Sequence, residues 1–352
     1  MRLLRPGRVQ MSEFCAIMLK LCCSGIPLFA LILLASCAYQ GVNEYPLASA
    51  YPAPQDLVPK MNELAARHPG LLVHRIIGFT ATENLPIHAI ELGKGQRNIL
   101  IIGQHHGDEV LGVALAFQLF ESLSERYHKE AQVHELLNEF KLWIVPSLNP
   151  EAWRVVSANL TRTKRKNNRD TDGNGKLDLR TDGVDLNRNY PVFWDIDIAT
   201  DHLSPFYKGP QPASEKEIQA IIALGRKVSF DLAIFYHSSR TGALNETIFL
   251  PAVDEPKEDF LALQDLAEFY AQNVPRDYLP GTYTLHKNST SKVGNARNFF
   301  YHSLEVPAML IEIGGINKEG KSIIHPSNKM VKRIVNRHEK ALVKMIQRMR
   351  EL

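Results

Sequence analysis

The sequence predicts an α/β domain, and three observations carry that prediction. Strand-like and helix-like segments alternate from residue 55 to residue 352, the pattern of helices packed on a sheet. Several strand-like segments are short, unbroken apolar runs, as in strands buried on both faces. The 352 residues suffice for one large domain or two small ones, and residues 55–352 contain no second linker and no internal repeat, so one domain is expected.

Composition narrows the classes. The chain is 45% hydrophobic and 22% charged with a net charge of +3, an ordinary globular balance. Near-neutral charge implies neither nucleic acid nor a membrane surface as partner of the domain. All four cysteines, Cys15, Cys22, Cys23 and Cys37, precede residue 38. A disulfide framework and a cysteine zinc site are therefore excluded from the domain, and a metal must use His, Asp or Glu.

Residues 1–37 read as an export signal. Arg2, Arg5, Arg8 and Lys20 make a basic start, and residues 26–35, IPLFALILLA, form an apolar core shorter than the roughly 20 residues of a spanning helix. Leu34-Ala35-Ser36-Cys37 resembles a bacterial lipobox, in which Cys37 would be lipidated and begin the mature protein. Ala38, rather than Asp, resembles an outer-membrane address. Residues 38–54, rich in Ala, Tyr and Pro, read as a tether between lipid and domain. The expected location is thus a periplasm-facing membrane lipoprotein.

The domain then runs in order. Residues 57–67 form an amphipathic helix closed by Pro69-Gly70, and residues 71–79 and 85–92 a hairpin. Residues 99–102 are a core strand, 110–127 a long helix, 134–140 a short helix and 142–146 a buried strand leading to Asn149-Pro150. A long polar stretch spans 159–185. Residues 214–227 read as a helix with a capping-box start, Ser214 with Glu217. Residues 232–236 form a strand ending in His237, 255–273 a helix, 308–313 a short apolar run and 328–352 a closing basic helix.

Chemistry concentrates where apolar runs end. In residues 98–109, NILIIGQHHGDE, the core strand stops at Gly103 and delivers two histidines and two acids. If a helix began at Gly107, His106 and Glu109 would share one face and form two-thirds of a catalytic zinc site. The strand DLAIFYH delivers His237 in the same way, the natural third ligand, leaving one coordination position for water. Glu312 sits inside AMLIEIGG. A carboxylate in such surroundings is costly unless functional, and its raised proton affinity suits a general base. Asn187-Arg188 places an amide beside a guanidinium, a pair suited to a carboxylate. Upstream, residues 162–166 (RTKRK) read as a solvated charge run, from which one cation aimed at the metal would stabilise an oxyanion.

These motifs together resemble a zinc carboxypeptidase of the carboxypeptidase A type, the M14 metallopeptidase family. The resemblance spans residues 55–315. It rests on Ile77-Gly78-Phe79-Thr80 with Pro86-Ile87 and Leu92-Gly93, His106-Gly107-Asp108-Glu109, Asn149-Pro150, Asn187-Arg188, Tyr207-Lys208-Gly209-Pro210 with Ser214-Glu215-Lys216-Glu217, His237 and Glu312, in that order. It implies a single domain with a mixed central β-sheet flanked by helices, and one zinc on His106, Glu109 and His237. It further implies Glu312 as the base for an attacking water, Arg165 as the oxyanion partner, and Asn187 and Arg188 as the clamp for the substrate's terminal carboxylate. The family register selects His106 over His105.

Three departures qualify the carry-over. The family's Gly-Arg-Pro in the opening hairpin reads Asn84-Leu85-Pro86. Its substrate-binding tyrosine has Tyr283 as nearest candidate, at an unusual spacing from Glu312. The specificity-pocket loop begins Ser291-Lys292, and Arg297 falls at the pocket floor, so Lys292 or Arg297 would make the pocket favour an acidic side chain. Separately, Asp170, Asp172, Asn174 and Asp178, with Gly175 between, carry calcium-loop spacing, but position 12 is Thr181 with Asp182 next.

The expected function is zinc-dependent hydrolysis of an amide bond next to a free carboxylate, by a monomer acting on a peptide or, given the export signal, a muropeptide of the cell wall. A deacylase of N-acyl amino acids and a non-catalytic peptide-binding lipoprotein are the rival readings. The base Glu312 argues against the second.

Overall fold

The computed structural model describes residues 47–287 and 291–350. The segment read as an export signal, Cys37 read as its lipidation site, and residues 38–46 lie outside the described residues. Residues 47–54, read as tether, lie against the domain: Leu47 N–H donates to Asn159, Ala50 N–H to Asn328, and Tyr51 is buried. No helix among the described residues is long and apolar enough to cross a membrane.

Eight strands form one mixed sheet. They are β1 (Leu72–Phe79), β2 (Pro86–Leu92), β3 (Arg97–Ile102), β4 (Phe140–Val145), β5 (Leu232–His237), β6 (Thr247–Phe249), β7 (Thr284–His286) and β8 (Ala308–Glu312). Their spatial order is β1-β2-β4-β3-β5-β8-β6-β7. The middle four, β4, β3, β5 and β8, are parallel neighbours, whereas β1–β2, β2–β4 and β6–β8 pair antiparallel. Parallel strands release their loops at one rim, where α/β sheets place their sites.

The apolar runs are continuous because both faces are covered. On one face Ile99, Ile101, Ile234, Met309 and Ile311 join a core with α1 (Leu57–Arg67), α2 (Leu111–Arg126), α6 (Glu258–Gln272) and α8 (Asn328–Arg348). α3 (Ala131–Glu139) adds Val133, Leu136 and Leu137 to that core. On the other face Leu100, Ile102, Phe235 and Leu310 meet α5 (Lys216–Lys227) and α7 (Ala296–Leu304). Alternate residues of each strand feed opposite cores.

Four elements were not anticipated: β6, β7, α7 and α4 (Pro150–Ser157). Each is short, and β6 and β7 have three residues apiece, too few to show a period. α4 starts at Asn149-Pro150, with the Asn149 side chain accepting from Ala152 N–H. The capping box expected at Ser214 is absent. α5 begins two residues later at Lys216, because the Ser214 hydroxyl donates to Glu215 instead.

Candidate active site

The loop after β3 enters the rim as a turn, not a helix. Glu109 N–H donates to His106 O at 3.0 Å, and the helix starts only at Leu111. The turn still brings the two side chains together, with His106 Nδ1 2.8 Å from Glu109 Oε1. Gly107 is required there, since a Cβ would come within 2.3 Å of Ala152 Cβ and 2.7 Å of Lys164 O. Its N–H donates to Arg165 O, which ties the metal loop to the arginine segment.

His237 arrives at the end of β5, and its Nδ1 lies 3.1 Å from His106 Nδ1 and 2.9 Å from Glu109 Oε2. The ligand atoms of all three residues fall within 4.8 Å of one another, and all three are buried. His106 Nε2 faces Asp185 Oδ1 at 3.0 Å; it donates there, leaving the Nδ1 lone pair turned inward. Two imidazole nitrogens and a carboxylate aimed at one point are the donor set of a zinc site with an open fourth position. Burial and Arg165 pull the His106 imidazole down, but Glu109 and Asp185 outweigh them and push it up to about 9. Burial holds His237 down at about 4, partly opposed by Glu109.

Glu312 pairs in register with His237 across β5 and β8. Burial, then the Glu109 charge, push its carboxyl up to about 8, and its Oε2 has no hydrogen-bond partner among the described residues. A carboxyl of that kind accepts and returns a proton.

Arg165 donates through Nε and Nη2 to Asp185 Oδ2 at 3.0 and 2.9 Å and approaches Glu109 at 3.4 Å. The charge run around it is not a solvated face. Lys164 and Lys166 are buried; Lys164 Nζ donates to Asp182 O, and Lys166 Nζ donates to Thr181 O and His202 O. Asn187 and Arg188 form a short turn capped by Asp185, whose side chain accepts from Asn187 N–H. Asn187 Oδ1 accepts from Ala296 N–H at 3.0 Å, and the Arg188 guanidinium donates to Asn187 O. The Phe206 ring lies over both guanidiniums, 5.2 Å from that of Arg165 and 5.6 Å from that of Arg188.

One cavity of about 590 Å³ gathers His106, Glu109, His237, Glu312, Arg165, Asn187, Arg188 and Arg297. The Arg297 Nε donates to Leu250 O, its guanidinium faces the Phe249 ring, and it feels the charges of Arg188 and Glu312. Lys292 is elsewhere, paired with Asp254 at the surface, so Arg297 alone keeps the pocket-floor reading.

Tyr283 is corrected. It is buried away from the cavity, its hydroxyl donating to Asp277 and meeting His338 Nε2. It immediately precedes β7 and faces the helix-covered core. The calcium-type set is altered: Asp170, Asp172 and Asp182 converge, while Asp178 accepts from Arg180 and Thr181 N–H and Asn174 Nδ2 donates to Asp172. The loop's own amides at Gly173 and Gly175 already satisfy Asp170. His105 lies outside the ligand set, stacked on His237 with ring centroids 5.2 Å apart and bonded to Tyr190.

Asp185 and Phe206 are missing from the sequence reading. Asp185 carried a signal, an acid two residues before the Asn-Arg pair. Phe206 carried none.

A family model described as zinc carboxypeptidase matches residues 57–338. Carboxypeptidase A2 of Rattus norvegicus is 27% identical over 176 residues, covering 49% of this chain and 40% of that protein. Metallocarboxypeptidase A of Arthroderma otae is 29% identical over 153 residues, covering 42% of this chain and 35% of that protein. The matches thus span about two-fifths of these curated relatives' length. Among solved structures, the carboxypeptidase A from Helicoverpa armigera superposes with a TM-score of 0.71 at 17% identity, covering 90% of this chain and 78% of that one. Bovine thrombin-activatable fibrinolysis inhibitor, in complex with tick carboxypeptidase inhibitor, gives 0.70 at 18% identity, covering 86% and 98%. The structural likenesses match the mixed sheet flanked by helices, the family model covers most of the chain, and the chain belongs to the zinc carboxypeptidase family.

Proposed function

We propose that this chain is a zinc-dependent carboxypeptidase that hydrolyses the amide bond next to a peptide's free carboxylate, with preference for an acidic last residue. The observation that carries the reading is the shared cavity. The His106–Glu109–His237 donor set, the proton-holding Glu312 and the Asn187–Arg188 pair all line it.

Each residue has a part. Asn187 and Arg188 take the terminal carboxylate and so place the last amide bond at the donor set. Arg297, at the floor, takes a carboxylate on the last side chain. Zinc, when bound, supplies Lewis acidity that polarises the carbonyl and acidifies water. Glu312 accepts the water's proton as it attacks and hands it to the leaving amine. The Arg165 guanidinium stabilises the negative charge that develops on the carbonyl oxygen. Asp185 holds the His106 ring and Arg165 together, so ligand and oxyanion partner move as one unit.

The setting belongs to the same proposal. A lipobox at Cys37 puts the domain on the periplasmic side of a membrane, where stem peptides of the cell wall carry free carboxylates.

The test is mass spectrometry of peptides, muropeptides and N-acyl amino acids after incubation with zinc-loaded protein, with a chelator control. Release of a single C-terminal residue, fastest for Glu or Asp, supports the reading. Cleavage confined to acyl amino acids would make the chain a deacylase. Arg297→Ala that left the ratio of acidic to apolar release unchanged would remove the acidic preference.

A further inference from the structure

We infer that Arg240 reads an anionic group on the substrate's upstream side, so that the preferred peptide carries a carboxylate one or two residues before the bond that is cut. This rests on the carboxypeptidase reading above and extends it to the other half of the cavity.

Arg240 lies three residues beyond His237 and lines the same cavity, beside Ser239, Thr241 and Asp108. Its guanidinium is fixed on one edge. Nε donates to Asp108 Oδ2 at 2.7 Å, and Nη2 donates to Arg162 O. Asp108 sits between His106 and Glu109, and its own carbonyl accepts from His325 Nε2 at 2.7 Å. The loop bearing Arg240 is held as well, with Ser239 Oγ accepting from Thr241 N–H and Ser239 O from the Ser322 hydroxyl. The remaining nitrogen, Nη1, makes no hydrogen bond among the described residues. The Arg240 side chain is 46% exposed while that of Asp108 is 4% exposed, so an incoming group meets the guanidinium and not the carboxylate behind it.

The direction follows from what each arginine neighbours. Arg188 and Arg297 both feel the Glu312 charge, and Arg297 also feels that of Arg188. Arg240 instead donates to Arg162 O and to Asp108, whose carbonyl accepts from His325, and Asp108 stands in the chain between the ligands His106 and Glu109. With the terminal carboxylate on Asn187 and Arg188 and the last amide at the donor set, the part of the cavity lined by Arg240, Ser239 and Thr241 is left for the preceding residues. A guanidinium pinned through Nε presents its free nitrogen in a fixed direction, and its fork matches a carboxylate. Because it is pre-organised, little side-chain freedom is lost on binding.

The experiment compares N-acyl peptides with one constant acidic last residue and Glu or Gln placed one or two residues upstream. Zinc-loaded wild-type protein should prefer Glu by about 10-fold in kcat/KM, expressed in KM. Arg240→Gln, which keeps a donor for Asp108, should erase the preference and leave the Gln peptides unchanged; Arg240→Lys should retain part of it. Calorimetric binding of the same peptides to metal-free protein should show the same ratio in Kd. Equal handling of Glu and Gln peptides by wild type, or an Arg240→Gln loss shared equally by all peptides with a lower melting temperature, would make Arg240 a structural ion pair and overturn the inference. Absence of any cleavage would sink the carboxypeptidase reading instead, and the binding ratio would still decide this one.

Discussion

The metal-binding rim and the arginine-bearing loop do neighbouring jobs but are built in opposite ways. His106, Glu109, His237 and Glu312 sit at or just beyond the ends of β3, β5 and β8, strands locked on both faces by buried side chains. Arg165, Asp185, Asn187 and Arg188 belong to a long stretch without a strand, residues 158–215. That stretch is held instead by buried lysines on backbone carbonyls, by Asp185, and by amide contacts such as Asn167 N–H on Val184 O. The first region is positioned by hydrophobic packing, the second by polar bonds that are individually modest and costly to strand. The contrast teaches where the molecule is robust and where it is tunable.

Removing a strand-borne ligand should have the largest effect. His237→Ala should lose tight zinc binding, read by metal analysis after dialysis, and with it all measurable hydrolysis, while the fold persists by circular dichroism. Arg188→Ala comes next. Losing a charge-assisted bond to the terminal carboxylate should cost about 3 kcal/mol, roughly 100-fold in kcat/KM and mostly in KM, with zinc binding intact. Lys164→Met tests the polar scaffold itself. It keeps the apolar stem but removes the ammonium on Asp182 O, and roughly a 10-fold loss in kcat/KM is expected from a displaced Arg165. Unchanged kinetics would show that the loop does not depend on its lysines.

The smallest effect is on stability against pH. Burial holds His88 and His325 down at about 4 and His338 at about 3, against an ordinary value of 6.5. The unfolded chain therefore binds more protons than the native one between those values. The contribution of these three histidines is full above pH 6.5 and is lost as the pH drops through 4 toward 3. His338→Gln should flatten that slope in denaturant titrations; an unchanged slope would mean His338 is charged in the native protein.

The same contrast explains what was legible in the sequence. Strand-borne residues announce themselves, because an apolar run that ends in His or contains Glu breaks the pattern of a buried strand. Glu109, His237 and Glu312 were readable that way, whereas the pattern left His105 and His106 open and the family register chose between them. Loop-borne residues give no such sign. Asn187 and Arg188 stood out only as an adjacent amide and guanidinium, and their clamp role came from the family resemblance, as did the choice of Arg165 within its charge run. Lys164 and Lys166 looked like solvated charge because burial on backbone carbonyls leaves no trace in composition. Tyr283 was misplaced for a related reason. β7 is three residues long, so neither its existence nor the direction of its neighbours could be read from period.

The central claim is that His106, Glu109 and His237 hold the zinc while Glu312 moves the proton. Glu312→Gln separates the two roles in one measurement, zinc content and turnover on the same sample. The account predicts one zinc per chain in both proteins and a loss of about 10²–10⁴ in kcat for the variant. Undiminished turnover with zinc in place would contradict it.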